Sequence, residues 1–221
     1  MKKSILFFFF LFAFSTFAQN FQLHYDMGKD RKYFTSTIEM FKPDEYGATF
    51  FFVDFDFNRG GNNSISLAYF EIARYINIPG VKGLSGTIQY NDGTAPWGPL
   101  GHIWLGGASY SFDVPFGLSV DLLARKDYLS DGLDGQITVV WFKPFFDGKL
   151  TFTGFLDIWT YTNATDEKDI VLLTEPQLWY NLGKHLAIGT EIEISHKFLP
   201  PDINGEYKLE INPTIAAKWN F

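Results

Sequence analysis

The last fourteen residues, Lys208 to Phe221, read KLEINPTIAAKWNF and separate into two faces when every second residue is taken together. One face is apolar and the other is polar: Leu209, Ile211, Pro213, Ile215, Ala217, Trp219 and Phe221 against Lys208, Glu210, Asn212, Thr214, Lys218 and Asn220. Successive side chains of a β-strand point to opposite faces. This stretch therefore predicts a strand with one face suited to lipid and one suited to water, ending on the hydrophobic Phe221.

The same alternation recurs along the rest of the chain. Leu118, Val120, Leu122 and Ala124 oppose Ser119, Asp121 and Arg125, and Leu186, Ile188, Ile192 and Ile194 oppose Glu191, Glu193 and Ser195. Segments of about ten residues with this period, separated by turn residues, are typical of transmembrane barrel strands. Twelve candidates result: Phe21 to Met27, Tyr33 to Phe41, Tyr46 to Phe57, Ser64 to Ile78, Leu84 to Asn91, His102 to Phe112, Leu118 to Tyr128, Gly135 to Phe145, Leu150 to Tyr161, Ile170 to Tyr180, His185 to Phe198 and Lys208 to Phe221.

The connections between these candidates alternate between short and long. The short set is Lys42 to Glu45, Pro79 to Gly83, Asp113 to Gly117, Phe146 to Lys149 and Asn181 to Lys184; the long set is Gly28 to Lys32, Asn58 to Asn63, Asp92 to Gly101, Leu129 to Asp134, Thr162 to Asp169 and Leu199 to Tyr207. Up-and-down outer-membrane barrels have short periplasmic turns and longer external loops. The rhythm predicts one all-β domain, an antiparallel up-and-down transmembrane β-barrel of about twelve strands with both termini periplasmic. Pro176 and Pro213 fall inside candidate strands, where a bulge would accommodate the missing hydrogen bond.

The N-terminal residues have the order of a secretory signal peptide. Lys2 and Lys3 precede an apolar stretch from Ile5 to Phe14, and small and polar residues follow up to Gln19. The apolar core is about ten residues long, whereas a membrane-spanning helix needs roughly twenty. We therefore expect residues 1–18 to be a cleaved signal peptide and residues 19–221 to form the barrel, in the outer membrane of a Gram-negative bacterium.

Composition favours a large exported β domain. Aromatic residues make up 19 % of the chain, yet mean hydropathy is −0.04, so apolar and polar residues are finely interleaved. The formal charge of −7 becomes −9 without Lys2 and Lys3, which argues against nucleic acid as a partner. Cys is absent, which argues against a small disulfide-stabilised domain. A soluble β-sandwich would also alternate, but it would not need a chain end as apolar as Trp219-Asn220-Phe221.

Four short stretches stand out by their residues. They are the run Phe50 to Phe57 with Gly60-Gly61-Asn62, the segments Phe70-Glu71-Ile72-Ala73-Arg74-Tyr75 and Val114-Pro115-Phe116-Gly117-Leu118-Ser119, and the final Trp219-Asn220-Phe221. Together they resemble the Tsx-like nucleoside-specific channel family, whose members are twelve-stranded outer-membrane barrels that admit nucleosides. The resemblance implies a porin-like channel for nucleoside transport. The chain is shorter than the better-known members, and Ala73 stands where the family has a proline before Arg74.

The inward face that this alternation implies is rich in acidic and aromatic side chains. The candidate substrate-binding residues are Glu39, Phe50, Phe52, Asp54, Asp56, Glu71, Asp121, Arg125, Asp157, Trp159, Glu175 and Gln177. Rings such as Phe50, Phe52 and Trp159 would stack on a base, worth ~1–3 kcal/mol per base, while Gln177 and carboxylates would bind sugar hydroxyls. Alternatively, these groups form the polar network that fills a small barrel. Because an acidic lumen disfavours anions, the hypothesis is passive uptake of small neutral solutes such as nucleosides.

A catalytic barrel and a closed barrel are the competing functions. Nucleophilic catalysis needs a Ser or water activated by His with an orienting partner. The four histidines are His24, His102, His185 and His196. None lies in such a context, and Ser195 and His196 are adjacent in a strand, which sends their side chains to opposite faces. Asp54 and Asp56 share a face without a calcium-loop glycine pattern. We expect no enzyme activity, catalytic residue, metal site or cofactor; a closed structural or adhesive barrel without conductance stays open as an alternative.

The expected partners follow from the barrel. Outer-membrane lipid would surround the apolar face, and small neutral solutes would enter the lumen. The barrel-assembly machinery would engage the C-terminal Phe221.

Overall fold

The chain forms one antiparallel sheet that closes on itself. The structure, a computed structural model, describes residues 18–29, 31–57, 64–162, 167–199, 201 and 205–221. Its strands are β1 (Ala18–Asp26), β2 (Phe34–Asp44), β3 (Gly47–Phe57), β4 (Ile65–Asn77), β5 (Leu84–Ala95), β6 (Gly98–Pro99), β7 (Ile103–Ser111), β8 (Gly117–Asp127), β9 (Asp134–Phe145), β10 (Leu150–Thr162), β11 (Lys168–Thr174), β12 (Gln177–Asn181), β13 (Leu186–His196) and β14 (Leu209–Asn220). Within these residues, helices of the length and apolar character needed to cross a membrane are absent.

Pairing runs continuously around the barrel, and β1 pairs with β14 to close it. The two-residue β6 lies beside β5, and β11 and β12 are two halves of one strand, so twelve strands make up the wall. Phe21 of β1, for example, lies opposite Trp219 on one side and Ile38 on the other. Closure removes the free edges that an open sheet would expose. The predicted all-β antiparallel barrel of twelve strands is confirmed.

Some predicted boundaries were wrong. β1 begins at Ala18 rather than Phe21, because Ala18 already pairs with Phe41 of β2. The predicted loop Asp92 to Gly101 is partly strand: β5 continues to Ala95, and β6 folds back so that Thr94 lies opposite Pro99. Polar residues and glycine gave this segment the composition of a turn, although its backbone pairs with β4. Residues 1–17 of the predicted signal peptide and the predicted loop 58–63 lie outside the described residues.

Both prolines lie within the wall without any shift of register. Pro176 separates β11 from β12, yet pairing with β10 runs unchanged across the break. Its carbonyl accepts a hydrogen bond from Ile192 N–H at 3.1 Å. The second bond of such a pair would run from the nitrogen of residue 176 to the Ile192 carbonyl, and proline has no N–H to donate. Pro213 lies opposite the same Ile192 from the other side, and its carbonyl accepts from Met27 N–H at 2.9 Å. The expected bulges are therefore not what accommodates these residues.

The two faces of the wall are reversed relative to a soluble protein, in which buried residues are mainly apolar. Gln22 of β1 points inward and is 2 % exposed, whereas the neighbouring Phe21 is 38 % exposed. In β8, Asp121 is 2 % exposed and Leu122 is 59 % exposed. The interior is therefore polar and the outer surface apolar, as the alternation predicts.

Candidate functional site

The twelve predicted binding residues all occupy inward-facing positions of the wall. They lie on β2 (Glu39), β3 (Phe50, Phe52, Asp54, Asp56), β4 (Glu71), β8 (Asp121, Arg125), β10 (Asp157, Trp159), the β11–β12 break (Glu175) and β12 (Gln177). Cross-strand pairing makes several of them neighbours: Glu39 lies opposite Phe52, which lies opposite Glu71. The structure divides them into groups with different environments.

The largest group is a set of seven inward carboxylates that interact with one another electrostatically. We call it the acidic belt; its members are Glu39, Asp54, Glu71, Asp157, Glu175, Glu191 and Glu193. The belt crosses the lumen, because Glu175 interacts with Asp54 and Glu71 on strands of the opposite wall. Like charges in one site repel, so such a group favours the uptake of protons or cations.

Neutral side chains donate hydrogen bonds to six of the seven belt carboxylates, including Glu39 and Glu193, which accept from Asn20 and Asn212 at 2.9 and 3.1 Å. Thr37 donates to Asp54, Thr138 to Asp157, Tyr69 and Asn91 to Glu71 at 2.6 and 2.9 Å, and Gln177 Nε2 to Glu191. Hydroxyl and amide donors orient a carboxylate without supplying a positive charge. Gln177, predicted to bind sugar hydroxyls, also accepts from Trp179 Nε1 at 2.8 Å, so both ends of its amide are bonded within the wall.

Two predicted binding carboxylates are enclosed by the wall. Asp121, 2 % exposed, accepts hydrogen bonds from Tyr75 Oη and Gln89 Nε2, both at 3.0 Å. Asp56, 7 % exposed, accepts one from Thr35 Oγ1 at 2.7 Å. These two residues fit the polar-network alternative better than a solute-binding role.

The predicted stacking surface on Trp159 is covered on one side by the protein itself. The Arg125 guanidinium carbon lies 4.9 Å from the Trp159 ring centroid. Arg125 is held there by donating to Gln136 Oε1 at 2.8 Å and to Asp127 Oδ2 at 3.0 Å. A base cannot stack on the face that Arg125 occupies, so stacking on Trp159 would need the opposite face of the ring.

The two remaining predicted aromatic residues, Phe50 and Phe52 of β3, form a row with Tyr69 of β4. Phe50 and Phe52 have ring centroids 5.9 Å apart, and Phe52 and Tyr69 are 6.0 Å apart. Tyr69 joins this row to the acidic belt through its hydrogen bond to Glu71. The row is therefore an apolar surface directly beside fixed carboxylates.

Arg31, in the connection between β1 and β2, is a site residue that the alternation could not reveal. Its two Nη groups donate to the two Glu193 carboxylate oxygens at 2.7 and 2.9 Å, and Nη1 also donates to Asp26 at 3.1 Å. Burial alone would lower the pKa of Arg31, but the hydrogen bonds to Glu193 and the charges of Glu193 and Asp26 raise it above its ordinary value. Arg31 thus neutralises one end of the belt.

The Trp179 side chain fills the space on the inner side of the wall formed by β12, β13, β14 and β1. It is fully buried, and Lys218 Nζ lies 3.9 Å from its ring centroid. The His24 ring meets it edge-on at 5.9 Å. Gly189 makes room for it, because an added Cβ there would lie 2.6 Å from Trp179 Cε3. The interior is therefore packed with side chains around Trp179.

Within the described parts of the chain, three or more His, Cys, Asp or Glu side chains are nowhere arranged to hold a metal ion. His24 bonds to Thr214 Oγ1 and Gln22 Oε1, both at 3.0 Å. His185 Nδ1 bonds to the carbonyl of Asn220 at 2.7 Å. These two imidazoles are engaged in the wall.

The barrel is similar to solved porins. The NanC porin has a TM-score of 0.60 at 11 % identity, covering 92 % of this chain and 100 % of that one. The KdgM porin has a TM-score of 0.52 at 6 % identity, and KdgM in complex with disordered oligogalacturonate has 0.51 at 7 %, each covering 92 % of this chain and 99 % of that one. At such identities the likeness establishes the fold alone.

The sequence also matches one protein-family model. The model described as a domain of unknown function, DUF5020, matches residues 18–221. No curated protein sequence matches significantly. The matching family model is not the Tsx-like one, so that resemblance remains a hypothesis about function.

Proposed function

The chain belongs to the DUF5020 family, and we propose that it is an outer-membrane channel for the passive passage of small solutes. One observation carries the proposal: all seven carboxylates of the acidic belt point into a closed barrel and yet stay partly exposed. Space large enough for water therefore lies beside these side chains inside the barrel. The shared fold with the KdgM and NanC porins supports the same function.

The apolar outer surface supports residence in the outer membrane. Leu122, Ile188 and Ile215 are 59, 48 and 61 % exposed on the outward faces of three different strands. In water such a surface would favour aggregation, whereas in a bilayer it contacts acyl chains. Lipid is thus the proposed partner of this surface, and we place the barrel in the outer membrane of a Gram-negative bacterium.

The charge of the lumen decides which solutes would pass most easily. Oligogalacturonate, named with the KdgM structure, is a polyanion that the acidic belt would repel. Small neutral solutes meet no such barrier, and nucleosides are candidates because the row of Phe50, Phe52 and Tyr69 offers a surface for stacking beside hydrogen-bond acceptors. The Tsx-like stretches support the same candidates.

The first prediction is that the mature protein, refolded into a planar bilayer, conducts ions in steady steps. Adenosine or uridine should reduce that current reversibly if nucleosides occupy the lumen, whereas ribose 5-phosphate should have little effect. Steady conductance that no nucleoside changes would refute the nucleoside part alone. A folded barrel without conductance would refute the channel and favour a closed structural barrel with the interior packed as around Trp179.

The second prediction concerns export. We propose that residues 1–18 are removed and that Phe221 is read by the barrel-assembly machinery. N-terminal sequencing of the protein from an outer-membrane fraction should start at or next to Gln19. Deleting Phe221 should lower the folded amount in that fraction, and an unchanged amount would contradict the assembly role.

A further inference from the structure

The acidic belt holds more carboxylates than the neighbouring cations can neutralise. Arg31 pairs with Glu193, Arg125 interacts with Glu71 and Asp157, and Lys218 interacts with Glu39 and Glu191. Even if each cation is counted fully against the belt, four of the seven carboxylates are left without one among the described residues. Arg125 moreover donates hydrogen bonds to Gln136 and Asp127, and the Lys218 ammonium lies over the Trp179 ring.

A second and independent observation lies beside Glu71. Asn91 is 5 % exposed, and its Nδ2 donates to Glu71 Oε1 at 2.9 Å. Its Oδ1 is buried and has no hydrogen-bond partner among the described residues. A buried acceptor without a donor is costly, by about 1–3 kcal/mol. A carboxylate and an unpartnered amide oxygen together make a site that has acceptors only, and its matching ligand must bring N–H donors and positive charge.

The protein's own cations show which groups this interior can hold. The Arg31 guanidinium lies in a bidentate pair with Glu193, with Asp26 as a third acceptor contact. The Lys218 ammonium lies over the ring of Trp179 at 3.9 Å. A guanidinium and an ammonium are therefore already held beside Glu193 and Glu191, whereas Glu175 interacts chiefly with other carboxylates.

We propose that the lumen is selective for cations and transiently binds small organic cations, with an amine or a guanidinium group, at Glu71, Asn91, Glu175 and Glu191. This inference rests on the proposed channel function. Partial exposure of these carboxylates allows a solute to reach them, and their position on opposite walls places every passing ion close to carboxylate oxygens. A charged, low-dielectric passage concentrates counter-ions, by 10-fold or more in the usual range.

The experiment is the reversal potential of the refolded mature protein in a bilayer with a KCl gradient. The expected permeability ratio of potassium to chloride is about 10 or more. Changing Glu71, Glu175 and Glu191 together to Gln should bring the ratio down towards about 1, because three of the four carboxylates in excess of the cations are removed. Arg31→Gln should move it in the opposite direction, since Glu193 then loses its cation; a misfolded barrel could not produce that shift.

Asp92→Asn is the matched control, because Asp92 lies opposite Phe70 on the outward face and is no part of the belt. Its permeability ratio should equal that of the unchanged protein. Agmatine, which carries a guanidinium and an amine, should block the potassium current at concentrations at which galactose does not, and Asn91→Leu should weaken the block.

The outcomes separate the two proposals. A conducting protein with equal permeability or a preference for chloride overturns the cation inference and leaves the channel intact. Cation selectivity that survives the triple Gln change also overturns it, because the selectivity would then arise elsewhere. Absence of conductance in the unchanged, folded protein overturns the channel function and the inference with it.

Discussion

Leu122→Arg is expected to destabilise the barrel in lipid vesicles by about 2–4 kcal/mol, the cost of a cation on the lipid face near the bilayer midplane. Leu122 lies midway along β8 and is 59 % exposed on the outward face. In a water-soluble protein, an exposed leucine exchanged for arginine changes stability by no more than about 0.5 kcal/mol. The substitution therefore tests what surrounds the barrel.

The measurement is equilibrium unfolding by guanidinium in vesicles, followed by tryptophan fluorescence. Leu122→Phe is the matched control, because it keeps the site apolar and should change stability by less than about 1.5 kcal/mol. Equal stability of the Arg and Phe variants, with both folded in buffer without detergent, would show that this surface faces water and that the molecule is not a membrane barrel.

The fold was predictable because one physical rule governs every strand. In a barrel with lipid outside and water inside, each second residue must be apolar, so segments such as Leu118 to Ala124 reveal both their structure and their orientation. The rule weakens where a strand leaves the apolar band. Asp92, Gly93 and Thr94 looked like a turn, but they pair with β4, because hydrogen bonding and not side-chain polarity defines the strand there.

The sequence pattern predicted which side chains point into the barrel, but not which contacts they make there. Alternation places Trp159 and Asp121 inward, but it cannot show that Arg125 covers the indole or that Tyr75 and Gln89 enclose the carboxylate. Those contacts join residues that are far apart in sequence and depend on how the barrel closes. Arg31 lies outside any alternating segment, so its pair with Glu193 could be read only from the folded chain.

Replacing Trp179 by Ala is expected to reduce the free energy of unfolding by about 3–5 kcal/mol, the range for a fully buried large side chain. Its exposed fraction is 0 %, and it packs with Ala187 and Ala216 in one buried cluster. The change also removes the ring beneath Lys218, whose ammonium would lose its cation–π contact with the indole. Denaturant unfolding in vesicles measures both losses together.

Trp104→Ala is the control that isolates burial from the loss of an indole. Trp104 lies on the outward face of β7 and is 50 % exposed, so its removal should cost clearly less than the removal of Trp179. Trp179→Phe should fall between the two, since it keeps a ring for Lys218 but loses the hydrogen bond to Gln177. If Trp179→Ala unfolds at the same denaturant concentration as the unchanged protein, side-chain packing contributes little to this wall, and backbone pairing from β12 to β1 must hold it.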